Sequence, residues 1–253
     1  MSEGSDLGEV EARPTIRAVN HPPAPTAVSH TRERLSHVRW IAGGTGSGKT
    51  TLATTLAQRF RADVYDGDLG ERSYLPRCTP QHQPRLHAIA AMTPAQRWLH
   101  RTPAEIFESM ASLHGETFGF VLDDVMAHDH DRPLIVDDFR TLPNDLDALL
   151  VSREQAAFLI PTPEFRRTAL TRRYADPDRA RANWGNLDPA TILEARLARD
   201  ALWDAEVIRQ ANQLGLPLLR MDGSRSIDTI VNDLAEQFRL VDTPPLNELP
   251  RSE

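Results

Sequence analysis

Eight consecutive residues constrain this chain more than any others: Gly43-Gly44-Thr45-Gly46-Ser47-Gly48-Lys49-Thr50. They satisfy every fixed position of the pattern G-x-x-x-x-G-K-[ST]. Glycines at these spacings let backbone N–H groups converge on phosphate oxygens with no side chain in the way. The N-terminus of a helix that follows adds a partial positive charge. In such a loop Lys49 reaches the β- and γ-phosphates of a nucleoside triphosphate, and Thr50 offers its hydroxyl to Mg²⁺. The whole run, with Thr51 beyond it, is the expected ATP contact. The competing reading is a glycine-rich turn that binds nothing.

Such a loop needs a strand before it and a helix after it, and the flanking residues supply both. Val38, Trp40, Ile41 and Ala42 form a short apolar strand. Leu52, Leu56 and Phe60 recur at fours, which predicts a helix over residues 49–61 with one apolar face. Further strands are expected at 63–66, 133–137, 156–160 (stopped by Pro161) and 216–221. The second closes in a turn, Gly67-Asp68-Leu69-Gly70. Residues 84–130 read as helical, with starts at Thr93-Pro94 and Thr102-Pro103, where a hydroxyl cap precedes proline. Thr162-Pro163-Glu164 opens another helix in the same way, and long helices are expected at 190–214 and 226–238. Strands alternating with helices predict an α/β fold, a parallel sheet covered on both faces. The helical stretches between strands two and three and between four and five exceed a minimal crossover. They are expected to be a substrate-binding region (84–130) and a lid region (162–190). Residues 1–35, polar and Pro-rich, read as a disordered leader; 36–241 read as the folded domain and 242–253 as a flexible tail.

Acids and arginines fall where phosphate chemistry needs them. Leu134-Ile135-Val136-Asp137-Asp138 is an apolar strand ending in two acids, and Asp137, directly after the apolar run, is the expected Mg²⁺ partner. Asp66-Gly67-Asp68 ends the second strand, and strand C-terminal ends line the ligand crevice of a doubly wound sheet. Either aspartate could take a proton from an attacking hydroxyl, with Asp66 the preferred base and Asp68 a substrate or metal contact; an ordinary Asp-Gly turn is the alternative. Arg166, Arg167, Arg172 and Arg173 follow the fourth strand, with Arg179 and Arg181 beyond. Arg166 and Arg173 lie seven apart and share a helix face, so they are the expected stabilisers of charge on a transferring phosphoryl group. A solvated basic helix is the alternative. The histidines of the middle region lack the pairing of a zinc motif and read as solvated or locally bonded. Trp98 is a candidate wall of a substrate pocket, and Trp184 sits where a lid would close.

Composition narrows the class. The chain has 253 residues, 40% hydrophobic and 26% charged, with a net charge of −7 and one cysteine, Cys78. The negative balance argues against a general nucleic-acid binder, which needs a basic surface. One cysteine excludes an internal disulfide framework. No apolar run approaches the roughly 18 residues a membrane span requires. The cytoplasm is the expected compartment, as monomer or homodimer.

With these residues together, the chain resembles the P-loop small-molecule kinases, the adenylate-kinase-like group that includes nucleoside, nucleotide, shikimate and antibiotic kinases. The likeness covers about residues 38–238. It is strong at 43–50, moderate at Tyr65-Asp66-Gly67-Asp68 and Ile135-Val136-Asp137, and suggestive at Met221-Asp222-Gly223-Ser224. It is also similar to bacterial proteins described only as ATP-binding or kinase-like. The resemblance implies a P-loop NTPase fold of three layers, α/β/α, with a five-stranded sheet ordered 2-3-1-4-5. It implies that Asp222, Gly223 and Ser224 lie beside the adenine base. In one respect the chain departs from nucleotide-monophosphate kinases. Arg72, Arg77, Arg85, Arg97 and Arg101 are scattered, with no evident pair to clamp a monophosphate. The expected activity is ATP-dependent phosphoryl transfer to a small hydroxylated molecule: a nucleoside, nucleotide, metabolite or antibiotic. A switch or ATPase without an acceptor, and a binding module that holds nucleotide as structure, are the competing classes. No N-K-x-D guanine motif is present.

Overall fold

The computed structural model describes residues 25–241. In chain order these residues form α1 (Pro25–Arg34), β1 (Val38–Gly43), α2 (Lys49–Phe60), β2 (Asp63–Asp66), α3 (Gly67–Glu71), α4 (Tyr74–Arg77), α5 (Pro84–Ala91), α6 (Pro94–Trp98), α7 (Pro103–Glu108) and α8 (Phe118–Met126). There follow β3 (Leu134–Asp137), α9 (Pro143–Leu146), β4 (Ala156–Pro161), α10 (Pro163–Tyr174), α11 (Pro177–Trp184), α12 (Pro189–Leu214), β5 (Leu218–Met221) and α13 (Ile227–Phe238).

The five strands pair in parallel in the order β2-β3-β1-β4-β5, the order the resemblance implied. Alternation along each strand sorts side chains between two layers. Val38, Trp40, Ala42, Leu134, Val136, Ala156 and Phe158 pack on one face with Trp203 and Val207 of α12 and Val121 and Val125 of α8. Ile41, Ile135, Ala157 and Leu159 point the other way, onto Leu52 and Leu56 of α2 and Ile230, Val231 and Leu234 of α13. Burying each of these aliphatic side chains contributes on the order of 1.5–3 kcal/mol. A third, smaller core holds α10, α11 and the start of α12 together through Leu170, Tyr174, Trp184 and Ile192. The region expected to be a lid therefore has apolar packing of its own.

Threonine hydroxyls or aspartate carboxylates cap five of the described helices that proline opens. Thr93 and Thr102 build reciprocal caps with Gln96 and Glu105, and Thr162 and Asp188 cap α10 and α12. Two expectations need correction. The stretch after β2 is a helix, α3, rather than a turn, because the Asp66 carboxylate accepts from the N–H groups of Asp68 and Leu69. The leader does not extend to residue 35. Residues 25–34 are helical, Arg32 Nε donates to the Ala148 carbonyl (2.7 Å), Arg34 donates to the Met126 carbonyl (2.8 Å), and Leu35 is buried in the core. A helix this polar is held by contacts across the chain, which a reading by composition does not see. The rest of the expected leader, residues 1–24, and the tail, 242–253, lie outside the described residues.

Asp145 in α9 accepts the Leu142 N–H at 2.8 Å. Burial pushes its carboxyl up to about 6, against the pull of that N–H group. A folded-state value raised above the ordinary 3.8 favours the protonated form in the folded chain. The stabilisation is full below about pH 4 and is lost as the pH rises through about 6. Asp145→Asn, which keeps an acceptor without the charge, is expected to gain about 1–3 kcal/mol over the wild type at pH 7 relative to pH 3. Urea melts at the two pH values measure it; parallel pH profiles for the two proteins would reject it.

Candidate active site

Glycine at 48 is a backbone requirement: its φ of +91° lies in the left-handed region and turns the chain from loop to helix. The consequence is a row of free donors. The backbone N–H groups of residues 45–50 donate no hydrogen bond among the described residues. They curve around the N-terminus of α2, where the helix dipole adds positive potential. Lys49 is buried, and its Nζ donates to the carbonyls of Gly43 (3.2 Å) and Gly44 (2.8 Å). Burial pulls its pKa down, and Asp137, Asp68 and Asp138 pull it back up.

Asp137 ends β3 beside β1 and β2, facing Ile41 and Asp66 in register. Burial raises its carboxyl pKa, opposed by Lys49 and by a hydrogen bond with Thr50. Asp138, the second acid, is turned away from the loop: it accepts from Thr141 Oγ1 (2.8 Å) and pairs with Arg140 (3.4 Å). Lys49, Thr50, Thr51 and Asp137 share one open cavity of about 640 Å³ with Asp68 and Glu71 of α3, Arg140, Arg173, Arg179 and Asn183 of the lid helices, and Arg196 of α12. Six cations (Lys49, Arg72, Arg140, Arg173, Arg179 and Arg196) face three carboxylates (Asp68, Glu71 and Asp137). On a chain of net charge −7 this is a local basic basin, suited to a polyanion.

The residues fit a magnesium nucleotide. Among the described residues no group of three or more His, Cys, Asp or Glu could hold a metal by itself. Mg²⁺ with a nucleotide requires none, being held by one or two carboxylates together with phosphate oxygens and water. Thr50 and Asp137 would supply the protein oxygens for such an ion, and the loop N–H groups and Lys49 would supply the phosphate donors.

The expected site residues divide. Asp68 lines the cavity; Asp66 does not, being engaged as the cap of α3. The expectation of Asp66 as base is therefore revised towards Asp68, whose carboxylate is 3.2 Å from Arg140 and largely exposed. Arg173 lines the cavity, but Arg166 is buried beneath the loop, with Nε donating to the Thr45 carbonyl (3.1 Å) and Nη2 paired with Asp204. The two arginines share a face, yet seven residues separate them by about 10 Å along the axis, enough for one to pass under the loop and the other to clear it. Arg166 is thus corrected from a phosphate contact to a brace. Arg167 pairs with Glu194 outside the site.

Asp222 and Gly223, just after β5, line a separate cavity of about 400 Å³ that shares Gly48 and Thr51 with the first and includes Ser47, Phe165, Arg225 and Ile227. The Asp222 carboxylate accepts from the backbone and hydroxyl of Ser224 (2.9 and 2.6 Å), which fixes the turn. Trp98 lines a further cavity beside Arg140, whereas Trp184 is buried against Tyr174, ring centroids 4.0 Å apart. The middle-region histidines line none of these cavities.

Sequence reading missed Arg140, Arg196, Glu71 and Asn183 as lining residues. Arg140 had a signal: it lies three residues past Asp137, close enough for the same strand end to present both. Arg196 had none, because its place depends on how α12 packs on α10.

No family model and no curated protein matches the sequence. Among solved structures, an uncharacterized protein from Eubacterium ventriosum ATCC 27560 aligns over 80% of this chain and 97% of that chain, at 14% identity and a TM-score of 0.42. No membrane role has support from the helices: none of those described is long and apolar enough to cross a membrane.

Proposed function

We propose that this chain is a P-loop kinase that moves the γ-phosphoryl group of ATP to the hydroxyl of a small molecule. The observation that carries the reading is the convergence on one cavity of free loop N–H groups, Lys49, Thr50, Asp137, Asp68, the lid arginines Arg173 and Arg179, and Arg196 of α12. Thr50 and Asp137 would hold Mg²⁺, which draws charge from the phosphate oxygens when bound. The loop N–H groups and Lys49 orient the donor. Asp68 accepts the proton of the acceptor hydroxyl as its oxygen bonds to the γ-phosphorus; the bond from that phosphorus to the bridging oxygen breaks, and ADP leaves. Arg173, Arg179 and Arg196 meet the charge spread over the equatorial oxygens. The cavity beside Asp222 and Gly223 is the place for the base.

Support for an acceptor, over a switch or bare ATPase, comes from the exposed carboxylate of Asp68 in the basin and from a second cavity adjoining it. Incubation with Mg-ATP and a panel of hydroxylated metabolites is expected to yield a phosphorylated product, lowered about 10²–10⁴-fold by Asp68→Asn. ADP release with no phosphorylated product, unchanged in Asp68→Asn, would instead favour the ATPase.

A further inference from the structure

The cavity that Trp98 walls shares Glu71, Phe139 and Arg140 with the basin, so the two adjoin at those side chains. Its volume is about 210 Å³, below the roughly 300–1,000 Å³ of pockets for drug-sized ligands. Such a space suits a small metabolite and excludes a whole nucleotide.

Its polarity is lopsided. Leu86, Ile89, Ile106 and Met110 give it an apolar floor, while Arg97, Arg101 and Arg199 stand around it. Arg140 is also present but is already matched by Glu71, Asp68 and Asp138. Arg97 and Arg101, one helical turn apart in sequence, have no carboxylate within ion-pairing distance among the described residues. They donate to the carbonyls of Ile89 and Glu105. Arg199 is buried. Its guanidinium carbon is 5.4 Å from the ring centre of Trp98 and 5.8 Å from that of Phe139. One of its terminal nitrogens meets Asp200 at 2.7 Å, the other meets only the Met110 thioether at 3.2 Å, and Nε has no partner. Thr117 Oγ1, also in the wall, has no partner either. Buried donors are ordinarily satisfied, and a thioether is a weak acceptor. A guanidinium held against two aromatic faces with donor capacity unspent is arranged to receive an oxyanion.

We propose that this second cavity holds the acid end of the phosphate acceptor. The acceptor is then a small organic anion, a carboxylate or a phosphate monoester, with an apolar body between its acid group and the hydroxyl presented to Asp68. The assignment of this pocket to the acceptor rests on the kinase reading; its preference for organic acids does not. Scattered in sequence, Arg97 and Arg101 meet Arg199, about a hundred residues later, only because α12 packs against α6 and α7.

The test uses probes that cannot be phosphorylated. Benzoate, phenyl phosphate and the neutral isostere benzamide are titrated into the full chain without nucleotide, by ligand-observed NMR. Benzoate or phenyl phosphate is expected to bind at least about tenfold more tightly than benzamide, and Arg97→Met with Arg101→Met is expected to remove that preference. Whichever acid wins identifies the head group. Equal binding of all three probes by the wild type, or an acid preference unchanged in a folded double variant, overturns the proposal. Acid binding without phosphoryl transfer to any hydroxy acid would overturn the kinase reading and leave an acid-binding pocket. Phosphorylation of neutral alcohols alone would do the reverse.

Discussion

Lys49→Met is expected to lower phosphoryl transfer by about 10²–10³-fold, the usual consequence of removing one preorganised charge from a water-poor site. Met keeps the unbranched, apolar stem of Lys49, so the packing on the loop survives. What is lost is the ammonium that touches the Gly43 and Gly44 carbonyls and neighbours Asp137. The fold should tolerate the change, because burial already disfavours the charged form of this lysine. Asp137 would lose an opposing charge, and its pKa would rise further above the ordinary carboxylate value. Product formation measured beside a thermal melt separates the effects. Near-wild-type turnover in a folded Lys49→Met protein would remove Lys49 from the mechanism, and with it the phosphate-loop reading.

The second large effect lies beneath the loop. Arg166 and Asp204 form a buried ion pair under Gly44, and Arg166 also donates to the Thr45 carbonyl. The contact is close enough to explain a glycine. A Cβ at position 44 would come within 2.5 Å of Asp204 Oδ1 and 2.6 Å of Arg166 Nη2. Burial pushes the Asp204 carboxyl up to about 6, and the Arg166 guanidinium beside it opposes that rise. Asp204→Ala leaves a buried guanidinium without its partner and is expected to destabilise the chain by about 3–5 kcal/mol. Replacing both groups, as Arg166→Met with Asp204→Leu, removes the uncompensated charge and is expected to restore part of that loss. Nucleotide affinity should stay reduced in the double variant, since the Thr45 carbonyl has lost its tether. Urea denaturation and ATP titration read the two effects independently. A double variant as unstable as Asp204→Ala would show that packing, and not charge, dominates here.

The brace belongs to a longer row on α12. Arg196, Asp200 and Asp204 occupy successive turns of one helix, with Arg199 next to Asp200, and all four are buried or nearly so. Asp204 supports the phosphate loop through Arg166, Arg196 lines the basin, and Arg199 lines the adjoining cavity. A long helix with charges on its packed face would be anomalous as a plain core element. Here those charges brace the glycine-rich loop and line both the basin and the adjoining cavity.

Local chemistry made much of this legible in the chain itself. The loop at 43–50 dictates its own backbone, because glycines, a helix start and a lysine at fixed spacing admit few conformations. The Thr-Pro caps announced helix starts, and short apolar runs announced strands, since those signals act over a few residues. Asp137 was findable for the same reason, as the first acid after a buried strand. The remaining assignments depended on distances that sequence does not encode locally. Asp66 and Asp68 are two residues apart, yet one caps a helix and the other faces the basin. Arg166 and Arg173 share a helix face, yet one braces the loop from below and the other clears it. Arg97 and Arg101 lie four apart, but Arg199 is about a hundred residues away and joins them only through the packing of α12 against α6 and α7. Sequence alone therefore determined the glycine-rich loop between strand and helix and the parallel strand–helix architecture around it. The tertiary structure decided which charges reach the cavity, because a charged side chain's role follows from its partners and its burial, and both are set by elements far apart in the chain.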